Sequence, residues 1–309
     1  MTRSVLKLYL PKRISYLHQL VDVVMASNQP KKYAAFKAQN EALIERQFLK
    51  GSKDEDLGVY CDMFSAKSSF KGQDGGVVTA LLARGIEEGL FDAAIVVNRL
   101  HGYCAEAVVA QNVEKVLSAS GTKYFRVNVT AKLRELIEKG KKRIAIVCTP
   151  CEVKAARKIQ QNLKTPCQIT VMGLFCFEAF NPAKLKGEIQ NRLNVNIDNA
   201  EKTQVRQGKF LVQTNGKVHS CRVKDLDAAA EKACGYCDDF TSRFADVSIG
   251  SVGSPEGYST VIVRSPVGEK LVEKLEAQKD AVDSAEVARL AKFKRERCEK
   301  AFANQKKAS

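Results

Sequence analysis

The segment from Arg143 to Cys176, RIAIVCTPCEVKAARKIQQNLKTPCQITVMGLFC, determines the expected fold class. Arg143–Cys148 and Ile169–Cys176 are short apolar runs typical of buried strands, and Glu152–Leu163 between them has the length of a helix. In an α/β sheet, neighbouring strand ends face one crevice, where ligands bind. Cys151 and Cys176 follow these two strand ends, so we expect both thiols at that crevice.

The same alternation extends to both sides of this segment. Three further strands and one helix are predicted, at Ala93–Val97, Ala107–Gln111, Ser259–Ser265 and Thr130–Lys141. The pattern favours a mainly α/β sheet core, with an α+β arrangement as the alternative. Asn215-Gly216 lies between two short β runs and predicts a hairpin insertion, because both turn positions need a positive φ.

The two ends of the chain differ from this core. Residues 1–57 are basic, lack cysteine and contain two predicted helical pieces, Tyr16–Met25 and Tyr33–Leu49. Residues 266–309 form a tail whose last part is a basic helical face, which we expect to be solvated. The expected organisation is therefore a helical extension (1–57), a core domain (58–265) and a helical tail (266–309).

The composition limits the possible functions. The chain has 309 residues and a formal charge of +15, which implies an anionic partner. Tryptophan is absent and no aromatic and basic residues alternate, so nucleic acid is disfavoured. No apolar run approaches the ~20 residues of a membrane helix, and we find no signal peptide. We expect a cytoplasmic protein without a membrane span, in which ten cysteines indicate metal or redox chemistry rather than disulfides.

Two C-x-x-C pairs, Cys148/Cys151 and Cys234/Cys237, concentrate the sulfur. They are compatible with a zinc site, although the pairs are more than eighty residues apart, and with a thioredoxin-like dithiol at Cys148/Cys151. The strand ends favour a four-thiolate cluster that also includes Cys176. Isolated cysteines are usually small buried hydrophobes, and this is what we expect of five others: Cys61, Cys104, Cys167, Cys221 and Cys298.

Three glycine-rich loops are suited to a close approach between the backbone and a ligand. They are Gly72–Gly76, Gly121–Tyr124 and Gly250–Tyr258. The first leads directly into a helix, whose free N–H groups favour phosphate. None of the loops matches the dinucleotide fingerprint G-x-G-x-x-G between a strand and a helix. None matches the phosphate-binding loop that ends in Gly-Lys-Ser/Thr.

In this order, the loops and cysteines resemble the coenzyme F420 hydrogenase/dehydrogenase beta-subunit family, over residues 58–265. The closest likeness is to beta subunits of F420-reducing hydrogenase of methanogenic archaea. The matching blocks are DGGVVT from Asp74, GTKY from Gly121, TPC from Thr149, Cys176, CGYC from Cys234, and the segment from Ala245-Asp246-Val247 to Gly257. The resemblance implies a subunit that holds FAD and one [4Fe–4S] cluster, with coenzyme F420 as substrate.

The resemblance also assigns residues. The implied cluster ligands are Cys151, Cys176, Cys234 and Cys237. The implied FAD residues are Asp74, Gly75, Gly76, Thr79, Gly121, Thr122, Lys123, Tyr124, Ser251, Gly253, Ser254 and Ser259. Lys123 is the basic residue we expect nearest the flavin, where it would steady a reduced ring.

The implied partners are the catalytic and electron-transfer subunits of a hydrogenase, a formate dehydrogenase or a heterodisulfide reductase. Two other functions stay open. One is a ferredoxin-dependent flavin and iron–sulfur reductase of another organic substrate. The other is a zinc-stapled basic protein that binds nucleic acid.

Overall fold

The computed structural model describes residues 30–308, with side chains from 37 to 305. The described chain is built on a mixed eight-stranded sheet with helices on both faces, which confirms the α/β expectation. The predicted helical piece Tyr16–Met25 lies outside the described residues, whereas the second piece belongs to α1. The helices are α1 (Pro30–Phe48), α2 (Val77–Glu87), α3 (Val113–Ser118), α4 (Val129–Glu138), α5 (Pro150–Gln161), α6 (Pro182–Leu193), α7 (Pro266–Val272) and α8 (Ser284–Ala308).

The strands fall into one large sheet, one small sheet and a short ribbon. Their bounds are β1 (Ser52–Asp54), β2 (Gly58–Tyr60), β3 (Asp62–Ser68), β4 (Ala93–Arg99), β5 (Ala105–Ala110), β6 (Arg143–Cys148), β7 (Gln168–Leu174), β8 (Lys202–Arg206), β9 (Lys209–Thr214), β10 (Lys217–Arg222), β11 (Val247–Gly250), β12 (Ser259–Val263) and β13 (Ala277–Asp280). The large sheet has the order β13-β3-β12-β11-β7-β6-β4-β5. Strands β4, β6, β7 and β11 run parallel, so their carboxyl ends share one edge.

Side-chain alternation along β6 explains the two layers of the core. Ile144, Ile146 and Cys148 pack on the face covered by α4 and α5, whereas Ala145 and Val147 pack on the face covered by α2. A strand with both faces buried needs apolar residues at every position, which is why Arg143–Cys148 is a continuous apolar run after its first residue.

The predicted hairpin is present. Asn215 and Gly216 have φ angles of 50° and 71°, and β9 and β10 pair antiparallel on either side of them. The sequence did not reveal β8, which extends the hairpin to a three-stranded sheet. Its buried face packs with Phe180 and with α6 in an apolar cluster separate from the two layers of the large sheet.

Arg264 joins the β1–β2 ribbon to the large sheet. Its side chain is fully buried and donates hydrogen bonds to the carbonyl oxygens of Leu57 and Val59 and to the hydroxyls of Ser248 and Thr241. Burial lowers its pKa to about 10. The guanidinium thus links four acceptors from the β1–β2 ribbon and the large sheet with its loops.

Both ends of the described chain pack against the core. In α1, Lys37 pairs with Asp238 at 2.7 Å, and Glu41 pairs with Lys154 at 2.7 Å. The expectation that the last helix is only a solvated face is wrong, because Val287, Ala291, Lys294 and Cys298 of α8 are buried. The edge strand β13 lies beyond residue 265 and still belongs to the large sheet.

No helix within the described residues is both long enough and apolar enough to cross a membrane.

Candidate functional site

A cavity of about 570 Å³ opens at the carboxyl edge of the parallel strands. Its walls come from the residues that follow β6, β7 and β11, and from the start of α2. Most of the lining is apolar, including Leu82, Val96, Val147 and Ile249. A pocket of this size with apolar walls and a few polar groups suits an organic cofactor with a ring system.

The first glycine loop positions the start of α2 at the cavity. Gly76 is the residue before α2 and has a φ of 67°, and among the described residues no side chain caps the helix there. A Cβ atom at Gly76 would lie 2.0 Å from the carbonyl oxygen of Phe70, so only glycine fits. The uncapped amides of the first turn therefore remain available to an anionic group, and Gly76 and Thr79 line the cavity.

The second loop, Gly121–Tyr124, forms another wall of the cavity. The Lys123 ammonium donates to the carbonyl oxygens of Ala119, Ser120 and Gly121, at 2.7, 3.1 and 2.9 Å. It thus closes the carboxyl end of α3 and uses all three of its donors. Burial, and then the nearby Arg99, lower the pKa of Lys123 to about 8.

Polar contacts between loops hold the remaining residues of the glycine segments. Asp74 lines the cavity and accepts a hydrogen bond from Gln204 at 3.1 Å, and burial raises its pKa. The Tyr124 hydroxyl accepts from the Val205 amide at 2.8 Å. The small sheet therefore braces two of the three glycine loops through β8.

Three residues assigned by the resemblance lie behind the cavity wall. Gly75 packs against β3 and donates its amide to the Ser259 hydroxyl at 3.1 Å. Gly253 packs under the start of α8, and Ser254 bonds the Ser65 hydroxyl at 2.7 Å. Ser251 and Ser259 of the same set do line the cavity.

The four assigned cysteines line one end of the cavity: Cys151, Cys176, Cys234 and Cys237. They come from the start of α5, from the residues after β7, and from a 3-10 helix, Lys232–Tyr236, with the residue after it. Cys151 packs against Cys237 and Ala233. Among the described residues, no three His, Cys, Asp or Glu side chains are gathered closely enough to hold a metal ion.

The neighbouring thiols are not those of an activated dithiol. Cys148 is buried, which raises the pKa of its thiol, and burial also raises the pKa of Cys151 to about 11. A thioredoxin-like pair needs a lowered thiol pKa, so this alternative does not fit. Cys298 is buried as expected, but Cys61 is exposed on the surface, so the expectation for Cys61 was wrong. The other three isolated cysteines, at 104, 167 and 221, are only half-buried.

Helix α8 brings residues to the cysteines that the sequence analysis missed. Lys294 is 1% exposed and donates a hydrogen bond to the carbonyl oxygen of Cys176. Arg297 donates to the carbonyl oxygen of Cys234 at 3.2 Å and pairs with Glu178 at 2.7 Å. Within the described residues, no carboxylate lies within 4.0 Å of the Lys294 Nζ atom. The only signal in the sequence was a run of charges, which is typical of solvent-facing helices.

A large cavity at the carboxyl edge of an α/β sheet, bounded by glycine loops and four cysteines, defines a redox protein of the cofactor-binding type. Two family models match the chain: the N-terminal region of the coenzyme F420 hydrogenase/dehydrogenase beta subunit over residues 63–134, and its C-terminal region over residues 141–290. The chain belongs to this family.

Individual relatives agree with the family models. One of the subunits of the F(420)H(2) dehydrogenase of Methanosarcina mazei is 38% identical over 75% of this chain, which spans 63% of that relative's length. The coenzyme F420 hydrogenase subunit beta of Methanococcus voltae is 35% identical over 71% of this chain and 82% of its own length. A chain of the xenon-derivatised F420-reducing [NiFe] hydrogenase complex from Methanosarcina barkeri superposes with a TM-score of 0.79 and is 30% identical, covering 84% of this chain and 96% of that one.

Proposed function

We propose that this chain is an electron-transfer oxidoreductase subunit that holds FAD and one [4Fe–4S] cluster and exchanges hydride with coenzyme F420. The observation that carries the proposal is the single cavity bounded both by the glycine loops and by the four cysteines. The relatives named above are coenzyme F420 hydrogenase or F420H2 dehydrogenase subunits, which supports F420 as the substrate.

The residues around the glycine loops fit FAD. The uncapped start of α2 at Gly76 offers backbone N–H groups and a positive dipole end to a phosphate. The apolar walls, including Val96, Val147 and Ile249, suit the flat ring system of a flavin. The basic balance of the whole chain favours anionic ligands in general.

The residues around the cysteines fit an iron–sulfur cluster. Four thiols line the same cavity, and thiolates are the ligands that such clusters prefer. Lys294 is buried there, and no carboxylate of the described residues lies within 4.0 Å of it. A buried cation costs several kcal/mol unless a negative charge compensates it. A cluster with four thiolate ligands carries a net negative charge, which would supply that compensation.

FAD, when bound, supplies the exchange between two-electron hydride transfer and single-electron transfer. The chain's own residues contribute positions and charges. The glycine loops bring the backbone close to the ligand, and the Phe175 and Phe177 side chains line the cavity on both sides of Cys176. Apolar rings in the lining lower the local dielectric constant, which strengthens electrostatic interactions in the cavity.

Lys123 keeps its proposed place beside the flavin, with a second role added by its contacts. Its three carbonyl acceptors fix the end of α3 and the Gly121–Tyr124 loop, which is a wall of the cavity. We propose that it acts first by holding this wall in position. A direct contact with the reduced ring would require it to release at least one of these carbonyl groups.

The electrons are proposed to pass through the cysteine end of the cavity to a partner subunit. Hydrogenase, formate dehydrogenase and heterodisulfide reductase subunits are the candidate classes. An F420-dependent formate dehydrogenase beta subunit of Methanocaldococcus jannaschii, 27% identical over 67% of this chain, supports the second class.

The test is anaerobic purification followed by measurement of flavin, iron and acid-labile sulfide, and by an assay of viologen reduction by F420H2. We expect brown-yellow protein with one FAD and one four-iron cluster per chain, and dye reduction that depends on F420H2. Colourless protein with bound zinc would refute the proposal. Both cofactors without the dye reaction would instead favour a ferredoxin-dependent reductase of another organic substrate.

A further inference from the structure

Two cations from α8 contact the backbone of the cysteine site. Lys294 bonds the carbonyl oxygen of Cys176, and Arg297 bonds the carbonyl oxygens of Phe177 and Cys234. Both residues lie beyond residue 290, where the match to the family model ends. Both contacts come from the C-terminal helix α8.

The two cations differ in how their charge is compensated. Arg297 pairs with Glu178 at 2.7 Å and is partly exposed, so its field is largely neutralised. Lys294 is fully buried, and within the described part of the chain its one hydrogen-bond partner is the carbonyl oxygen of Cys176.

The charge on Lys294 must act differently on the two redox states of a nearby group. Reduction of an iron–sulfur cluster adds a negative charge to a centre that is already anionic. Charge-charge energies in a buried site are several times larger than in water, because little solvent screens them. Net charge and hydrogen bonding around the ligands are among the factors that set cluster potentials.

We propose that Lys294 is a positioning residue that raises the reduction potential of the cluster held by Cys151, Cys176, Cys234 and Cys237, through a buried positive charge that has no described carboxylate within 4.0 Å. The inference rests on the proposed function, because it requires the cluster. Arg297 contributes less, since Glu178 offsets its charge. The C-terminal helix therefore makes it easier for the cluster to accept electrons from the flavin.

The experiment is a redox titration of the anaerobic full chain, followed by the electron paramagnetic resonance signal of the reduced cluster. Lys294→Met removes the charge and keeps most of the side-chain volume. Lys294→Gln removes the charge and keeps a donor for the Cys176 carbonyl. Lys292→Met is the matched control, because Lys292 lies on the same helix and is exposed.

We expect reduction of the cluster to become about tenfold less favourable in both Lys294 variants, which is ~59 mV for a one-electron couple. Lys292→Met should leave the potential unchanged, because solvent and salt screen an exposed charge. An unchanged potential in Lys294→Gln with full iron content would overturn the proposal. Loss of the cluster from both Lys294 variants would show that Lys294 stabilises the fold of the site, and this result would also overturn the proposal. Absence of a cluster from the unmodified chain would refute the proposed function instead.

Discussion

Replacing Gly76 by alanine should release the proposed flavin. Gly89, a glycine just beyond the other end of the same helix, provides a matched control. Gly76 precedes α2 with a φ of 67°, and Gly89 follows the same helix with a φ of 66°. Alanine costs ~1–2 kcal/mol at either position, because the left-handed region is unfavourable for residues with a Cβ atom. The two variants should therefore lose similar stability from backbone strain alone.

The surroundings of the two glycines differ. A Cβ at Gly76 would lie 2.0 Å from the Phe70 carbonyl oxygen, whereas a Cβ at Gly89 has no atom within 4 Å. Restoring an ordinary contact of ~3.5 Å requires a shift of ~1.5 Å in the loop that faces the cavity. Losing one hydrogen bond from this loop to a phosphate costs ~1.5–3 kcal/mol. This is an increase of about ten- to a hundredfold in the Kd for FAD.

The assay is flavin content after gel filtration, with thermal unfolding of both variants measured in parallel. Gly76→Ala should lose most of its FAD while keeping its iron, and Gly89→Ala should keep both. Full flavin content in Gly76→Ala, as in the unmodified chain, would refute the assignment of this loop to FAD. Equal loss in both would attribute the effect to stability.

Three further predictions concern the cysteines, the isolated chain and Arg264. A serine in place of any one of the four cysteines should lower the iron content and the broad visible absorbance of the protein; the four are Cys151, Cys176, Cys234 and Cys237. Cys167→Ser is the control, and it should change neither quantity. The isolated chain, with both cofactors bound, should transfer electrons from F420H2 to a viologen. It should not oxidise hydrogen or formate, since its sequence has only three scattered histidines. Oxidation of hydrogen or formate by the purified chain would contradict the proposal that a partner subunit carries out these reactions. Arg264→Met should lower the free energy of unfolding in urea by at least ~3 kcal/mol, because four acceptors lose this donor and three of these hydrogen bonds are buried. Exposed Arg222→Met should change that free energy by no more than ~0.5 kcal/mol, and a similar loss in both variants would contradict the explanation.

The features that the sequence predicted correctly are those with local causes. Arg143–Cys148 is apolar because both faces of β6 are covered, and Asn215-Gly216 allows the positive φ angles of a tight hairpin. The arrangement of Cys151 and Cys176 at one edge follows from the parallel β6 and β7 alone. Signals of this kind need no knowledge of distant residues.

The features that the sequence did not reveal depend on partners far along the chain. Strand β13 has the composition Ala-Gln-Lys-Asp, with no apolar alternation, and forms because β3 offers it a free edge. Lys294 lies in a run of charged residues that resembles a solvated helix face, and only the packing of α8 on the cysteine site buries it. Cys61 has the identity of a core residue, but its position just before β3 leaves it at the surface.

The place of β3 in the large sheet has a consequence for biosynthesis. It lies between β12 and β13, and Cys61 just before it bonds Val263, 202 positions later in the chain. A ribosome adds ~5–20 residues per second, so β3 is made ~10–40 s before its first partner strand, β12. Both of its edges expose unpaired N–H and C=O groups during that interval. A nascent chain that stalled before Ser259 would lack β12, the strand that separates β3 from β11. This side of the sheet must therefore assemble late. Until then, the exposed edges of β3 depend on protection from aggregation.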